Sequence, residues 1–146
     1  MRIMLLPQNR WHEFRDILPA FAYRFGEQRL TADGMGTLCS LLSAPPSPAS
    51  SAVITLAIEH QKLLGFAVAK DAGELACLVV VRAEMRGKGI GTKLMQSLCR
   101  HFGTLTCNVA CDNYSSMQMC FRAGMAAVSM HEGPTGKMTL RFVRTP

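Results

Sequence analysis

The chain has 146 residues, of which 49% are hydrophobic and 18% are charged. This composition excludes a disordered chain, and the length predicts one domain, residues 1–146, with a sizeable core. The formal net charge of +6 suits anionic ligands, nucleic acid among them, and only ten acidic residues are available to bind a cation.

Six cysteines are spread over the chain without a C-x-x-C pair. They are Cys39, Cys77, Cys99, Cys107, Cys111 and Cys120. Their surroundings predict reduced, mostly buried thiols rather than a metal site, which would need paired Cys and His spacings. Residues 1–7 are too short for a signal-peptide core, and no segment has transmembrane length. We therefore expect a cytoplasmic protein with no metal and no membrane contact.

The first part of the chain predicts one strand and two helices. Arg2–Leu6 reads as a short strand, and apolar residues at helical spacing predict a helix over Trp11–Phe25. A second helix runs from Thr31, a favourable N-cap residue, to about Leu42. The proline-rich stretch Ser43–Ser51 cannot hold regular structure and is predicted as an exposed loop.

The middle of the chain predicts an antiparallel meander. Ala52–His60 and Leu63–Lys70 form a hairpin around the turn at residues 61–62, and a second turn leads into the strand Leu75–Arg82. A predicted helix, Thr92–Phe102, comes after this strand, and four further elements follow it. They are the strand Thr104–Ala110, the helix Ser115–Ala123, and the strands Ala126–Met130 and Met138–Val143 around a turn at 133–136.

A strand, a glycine-rich turn and a helix follow one another at the centre of the chain. Leu75–Arg82 is an apolar run of strand length, Ala83–Gly91 is glycine-rich and basic, and Thr92–Phe102 has helical spacing. Glycines let the backbone approach a ligand, and the first N–H groups of a helix have no partner within it. Because Arg86 and Lys88 add positive charge, we expect a phosphate or pyrophosphate at this turn.

The turn differs from two common phosphate-binding patterns. G-x-G-x-x-G would need a glycine where Thr92 or Leu94 stands, and the P-loop lysine is missing because Lys93 follows Thr92. What stands instead is R-x-x-G-x-G, from Arg86 to Gly91, after a run of three valines. With its strand and helix, this motif resembles the GNAT superfamily of acyl-CoA-dependent N-acyltransferases. The alternative is a tight strand–helix turn that binds nothing.

The resemblance implies the GNAT fold, of α/β (α+β) class. It implies a mixed central sheet of about seven strands and about four helices, in the order β-α-α-β-β-β-α-β-α-β-β. It also implies that acetyl-CoA or coenzyme A binds with its pyrophosphate on the turn. The pantetheine arm would lie between the splayed strands Leu75–Arg82 and Thr104–Ala110. The residues implied at the cofactor are Val79, Val81, Arg86, Gly87, Lys88, Gly89, Ile90, Gly91, Thr92 and Asn113.

Asn113 opens a stretch that resembles the second GNAT motif, in which an Asn begins a short helix and contacts the cofactor. A plain helix N-cap explains the same residue. Many members carry a tyrosine four residues before the glycine that ends this helix, and it protonates the leaving thiolate. Cys120 occupies that position here. Its thiol would act as the acid, or it is a core residue and water or Ser116 supplies the proton.

The general base in this family is often a glutamate on the central strands. Glu74 is our candidate, with Glu59 and His131 as alternatives, and each of the two glutamates also suits a solvated strand end. The predicted reaction is direct attack by a primary amine, of a small molecule, protein or peptide, on acetyl-CoA in a ternary complex. The alternative is an acyl-CoA-binding or regulatory module of the same fold with weak or no turnover.

Nucleic acid is a poor candidate for the acceptor, because basic and aromatic residues are not interleaved along the chain. The sequence does not identify the acceptor or the oligomeric state, and a homodimer is compatible with it.

Overall fold

The computed structural model describes residues 1–27, 29–134 and 136–146. Seven strands in these ranges form a four-stranded sheet, ordered β1-β2-β3-β4, and a three-stranded sheet, ordered β5-β7-β6. The strands are β1 (Arg2–Leu5), β2 (Ala52–Glu59), β3 (Lys62–Lys70), β4 (Ala76–Val81), β5 (Leu105–Ala110), β6 (Ala126–Glu132) and β7 (Met138–Arg144). The α-helices are α1 (Ile17–Phe25), α2 (Ala32–Ser43), α3 (Ile90–Phe102) and α4 (Tyr114–Arg122).

The predicted fold class and element order are confirmed. The seven predicted strands are present, but they form two antiparallel sheets rather than one mixed sheet, because β4 and β5 form no ladder. The turn after β6 includes Thr135, which lies outside the described residues. Within the described ranges, no helix is long and apolar enough to cross a membrane.

The N-terminal helix predicted over residues 11–25 is divided. A 3₁₀ helix, Gln8–Phe14, precedes α1, and its Trp11 side chain is only 3% exposed. The Trp11 indole N–H donates to the Leu6 carbonyl at 3.1 Å, which fixes this segment against the end of β1. The second helix begins as predicted, since the Thr31 hydroxyl accepts a hydrogen bond from the Gly34 N–H at 3.0 Å.

The four-stranded sheet is covered on both faces. Successive residues of a strand point to opposite sides, so Val79 and Val81 pack with α3 and α4, whereas Leu78 and Val80 pack with α1 and α2. Two separate apolar clusters result, one on each face. Helices on both faces leave only the edges of the sheet for a ligand to approach.

The gap between β4 and β5 is closed at one end. The Thr106 N–H donates to the Ala72 carbonyl at 2.9 Å. Gly73, at φ +90°, lies so close that a Cβ there would be 1.9 Å from the Thr106 carbonyl oxygen, and only glycine fits. Beyond this contact the two strands share no ladder, so the gap opens toward their carboxyl ends, as the resemblance implied.

Candidate active site

A cleft of about 410 Å³ lies at the carboxyl end of β4, where the gap toward β5 opens, and α4, the helix after β5, forms its far side. Four segments line it: the end of β4, the glycine-rich turn with the first turn of α3, one side of α4 along its whole length, and the segment at and after the end of α1. The charged residues in the lining are Glu27, Arg29, Arg86 and Arg122. With three guanidinium groups against one carboxylate, the cleft suits an anionic ligand.

The free edge of β4 turns backbone groups toward this gap. In an antiparallel ladder, hydrogen-bonded and non-hydrogen-bonded residue pairs alternate. The Arg82 N–H donates to the Leu64 carbonyl at 2.8 Å, and Val80 is paired with Phe66 two positions away. The N–H and C=O groups of Val79 and Val81 therefore face away from β3 and into the gap, and both residues line the cleft.

The glycine-rich turn brings open backbone to the cleft. Gly87 and Gly89 have φ values of +77° and +82°, which favour glycine, and a Cβ at either residue would meet no atom within 4 Å. Gly89 is the N-cap of α3, which begins at Ile90, two residues earlier than predicted. The Lys93 N–H is the first to bond back within the helix, to the Gly89 carbonyl at 3.1 Å. The earlier N–H groups are left for an anion.

Helix α4 lies directly against this turn. A Cβ on Gly91 would lie 2.6 Å from the sulfur of Met119, so a side chain there would displace a residue that itself lines the cleft. At the start of α4, the Asn113 side chain accepts a hydrogen bond from the Ser116 N–H at 3.4 Å, and both residues line the cleft. The helix-cap interpretation of Asn113 is therefore confirmed, and contact with a cofactor stays a prediction.

Arg86 is held by the segment after α1. Its guanidinium donates to the Glu27 carboxylate at 2.5 Å and, through its other arm, to the Phe25 carbonyl oxygen. In the same segment, Arg29 donates to Asp112, the residue before Asn113, at 2.8 Å. Lys88 is exposed and does not line the cleft, unlike the other residues predicted at the cofactor.

A family model described as the acetyltransferase (GNAT) family matches residues 11–125. The chain belongs to this family. The match extends over most of the chain, so the predicted enzyme class, an acetyltransferase, is confirmed together with the acetyl-CoA cofactor of the family. A search of curated proteins gives no match.

Solved structures show the same fold in other acetyltransferases. Aminoglycoside acetyltransferase AAC(6')-Ib in complex with coenzyme A is 15% identical, with a TM-score of 0.64 over 98% of this chain and 93% of that one. A variant of spermidine N-acetyltransferase SpeG from Vibrio cholerae is 11% identical, with a TM-score of 0.66 over 99% of this chain and 95% of that one. At these identities the similarity is one of fold.

The cleft of this acetyltransferase fits coenzyme A. Open space lies against the turn at Gly87 and Gly89, next to the first N–H groups of α3, which have no partner within the helix. The free edge of β4 offers further backbone donors and acceptors to an extended amide chain. The glycine turn would hold the phosphates and β4 would hold the pantetheine arm, and the bound group supplies an acetyl thioester.

Glu74, the predicted base, lies at the closed end of the gap and does not line the cleft. It accepts hydrogen bonds from Arg141 at 2.6 Å and from the Thr106 hydroxyl at 3.0 Å. These bonds, with that of Arg141 foremost, lower the pKa of Glu74 below the ordinary carboxyl value. The lowered pKa makes Glu74 a weaker base, and its hydrogen bonds link it to β5 and β7 of the neighbouring sheet. Both observations favour a structural role, and catalysis by Glu74 stays a prediction.

Cys120, the predicted acid, has no exposed surface and lies on the buried side of α4, within the apolar cluster between that helix and the sheet. A hydrogen bond with the Cys107 thiol and burial raise the pKa of Cys120 well above the ordinary thiol value. The thiol therefore stays protonated, but it is not part of the cleft lining. Burial favours the packing interpretation, and Ser116, the alternative donor, does line the cleft.

The segment after α1 was not identified from the sequence as part of this site. Glu27 and Arg29 lie about sixty residues before the motif and carry no local pattern. Only the packing of α1 and α2 on the sheet brings them to the cleft. The glycine followed closely by a glutamate and an arginine, directly after an apolar helix, was the one available signal.

Proposed function

We propose that this protein is an N-acetyltransferase that binds acetyl-CoA in the β4–β5 cleft and acetylates a primary amine. One observation carries the proposal. The free edge of β4, the open glycine turn and the N-terminus of α3 line a single cleft at the open end of the gap. A thioester with a long phosphorylated tail needs each of these features at one place.

Each part of the cleft has a proposed task. The N–H groups of the turn from Gly87 to Thr92, with Arg86, bind the pyrophosphate through charge-assisted hydrogen bonds. The backbone of Val79 and Val81 holds the pantetheine amides. An N–H at this edge of β4 also polarises the thioester carbonyl, which stabilises the negative charge that develops on its oxygen. Asn113 contacts the cofactor from the other wall.

The proposed reaction is direct attack in a ternary complex. The amine nitrogen forms a bond to the carbonyl carbon, the bond from that carbon to sulfur breaks, and the amine proton passes to a base. The leaving thiolate takes a proton from a donor, for which the Ser116 hydroxyl is the candidate that lines the cleft. Because only the unprotonated amine attacks, the rate rises with pH through at least one ionisation.

The acceptor is proposed to be a small-molecule amine, with a peptide or protein amine as the alternative. The structural neighbours include an aminoglycoside acetyltransferase and a spermidine N-acetyltransferase, both named for small-molecule amines. A screen of both amine classes and of short peptides, each with acetyl-CoA, tests this. The mass of the product identifies the acceptor.

One observation favours the second candidate, a module that binds acyl-CoA without turnover. Neither of the predicted catalytic side chains, Glu74 and Cys120, lines the cleft. Release of free thiol from acetyl-CoA separates the two functions. Thiol release that depends on an added amine supports the enzyme. A rise in melting temperature with CoA, but no thiol release with any amine in the screen, supports the binding module.

We further infer that residues 1–146 fold as one domain in the cytoplasm. Support for one domain comes from β7, which pairs with both β5 and β6. Support for the location comes from the six cysteines, three of them buried in the apolar core. The exposed strand β6 has an unpaired edge where a second copy could add, and the mass in solution tests a homodimer.

A further inference from the structure

The arginine of the R-x-x-G-x-G motif is already occupied by groups of the chain itself. One arm of the Arg86 guanidinium donates to the Glu27 carboxylate at 2.5 Å, and the other donates to the Phe25 carbonyl. The Glu27 carboxylate thus lies where an anion of a ligand would bind. It is also the only carboxylate that lines the cleft among the residues that the structure describes.

Two further observations distinguish this contact from an ordinary surface ion pair. Glu27 has a φ of +53°, a left-handed backbone conformation that a residue with a side chain adopts at some cost. Two residues on, Arg29 is paired with Asp112 at 2.8 Å, and Asp112 directly precedes the cleft-lining Asn113. Asp112 is paired in turn with Lys137 at 2.9 Å. The segment is therefore held at two points, by Arg86 through Glu27 and by Asp112 through Arg29.

We propose that Glu27 is an internal competitor for the phosphate site of Arg86, which coenzyme A must displace in order to bind. This inference rests on the proposed function, because it assigns a specific role to Glu27 within the same cofactor site. It makes Glu27 a residue that sets the affinity for coenzyme A, although no motif of the sequence contains it.

Elementary electrostatics gives the direction of the exchange. A pyrophosphate carries more negative charge than one carboxylate, and it can accept both arms of a guanidinium. The bond between Arg86 and Glu27 must break first, however, and the freed carboxylate stays beside an anionic ligand. Both effects lower the affinity for coenzyme A. The side chains are 35% and 58% exposed, so the pair is a weak one and the penalty is small.

The test is the dissociation constant of CoA, measured by calorimetry on the wild type and two variants. Glu27→Gln removes the competing charge and keeps the size of the side chain. Glu13→Gln is the matched control, since Glu13 is also an exposed carboxylate paired with an arginine, Arg10, at 3.0 Å, and it does not line the cleft. We expect CoA to bind about twofold to fivefold more tightly to Glu27→Gln and with unchanged affinity to Glu13→Gln.

A second background locates the effect. In the Arg86→Gln variant, Glu27 has no Arg86 guanidinium to pair with. Adding Glu27→Gln should therefore raise the affinity for CoA less than it does in the wild type. Unchanged or weaker CoA binding in Glu27→Gln overturns the proposal. A gain of the same size in the Arg86→Gln background also overturns it, because Glu27 would then act through its charge alone. Absence of CoA binding to the wild type would instead contradict the proposed function itself.

Discussion

The two ends of the gap between β4 and β5 use similar groups in opposite ways. At the closed end, the Thr106 N–H donates to the Ala72 carbonyl, and the Glu74 carboxylate accepts hydrogen bonds from Arg141 and Thr106. At the open end, the N–H groups before Lys93 and the outer edge of β4 have no strand or helix partner. Polar groups that bond to one another hold the fold together, and those that do not are available to a ligand.

Residue type and position in a motif therefore do not by themselves assign catalysis. Glu74 was predicted as the base from the glutamate that this family often carries on its central strands, and Cys120 as the acid from its place at the family's tyrosine position. The structure places Glu74 at the closed end and Cys120 in the core, whereas Ser116 and Glu27 line the open end. Three predictions, in order of decreasing effect, test this division between the two ends.

The largest effect is expected at the open end, from Gly89→Leu. A side chain at Gly89 would fill the space where the turn is proposed to meet the pyrophosphate, and CoA affinity should fall about tenfold to a hundredfold, the worth of one or two charge-assisted hydrogen bonds. Calorimetry with CoA measures the loss. Gly103→Leu is the control, because Gly103 ends the same helix at φ +76° with no atom within 4 Å of a Cβ.

Both variants carry the strain of a left-handed residue, about 1–2 kcal/mol. Their melting temperatures should therefore fall together, and only Gly89→Leu should lose CoA. If Gly89→Leu binds CoA as the wild type does, the turn is not the phosphate site.

A smaller effect, on kcat alone, is expected to show whether Ser116 or Cys120 donates the proton to the leaving thiolate. We expect Ser116→Ala to lower kcat about tenfold or more, because it removes a proton donor that lines the cleft. Cys120→Ala should lose about 1 kcal/mol of stability, from the small cavity, while kcat stays within about twofold. Steady-state rates and thermal unfolding of the two variants make the comparison. A drop in kcat of about tenfold to a hundredfold in Cys120→Ala, with Ser116→Ala unaffected, would restore the thiol as the acid.

The smallest effect is expected at the closed end, from Glu74→Gln. Its partners lower the pKa of Glu74 in the folded state, with Arg141 the main cause. The contribution of Glu74 to folding stability is therefore complete at pH values above the pKa of a glutamate in the unfolded chain, about 4.3. It is lost as the pH falls through the lower pKa of the folded state. The variant should melt slightly below the wild type at neutral pH and converge with it in acid, with kcat within about twofold. A large loss of kcat without loss of stability would make Glu74 the base.

Local patterns made much of this site predictable. The strand, the turn and α3 are contiguous, so alternation, glycine content and helical spacing located the start of α3 to within two residues. The carboxylates could not be assigned in this way. Glu74 meets Arg141 across 67 positions, and Arg86 meets Glu27 across 59. Such contacts depend on how separate elements pack, which no local pattern encodes.

The central place of β7 in its sheet has a practical consequence for truncation. Strand β5 lies across the gap from β4. Among the described residues, β5 forms a ladder only with β7, Met138–Arg144. The family match ends at residue 125, before this strand begins. A fragment that ends at residue 125 would lack β7, leave both edges of β5 without a partner strand, and expose the core residues that pack against Phe142. Expression trials guided by the match alone should therefore keep the residues through Arg144.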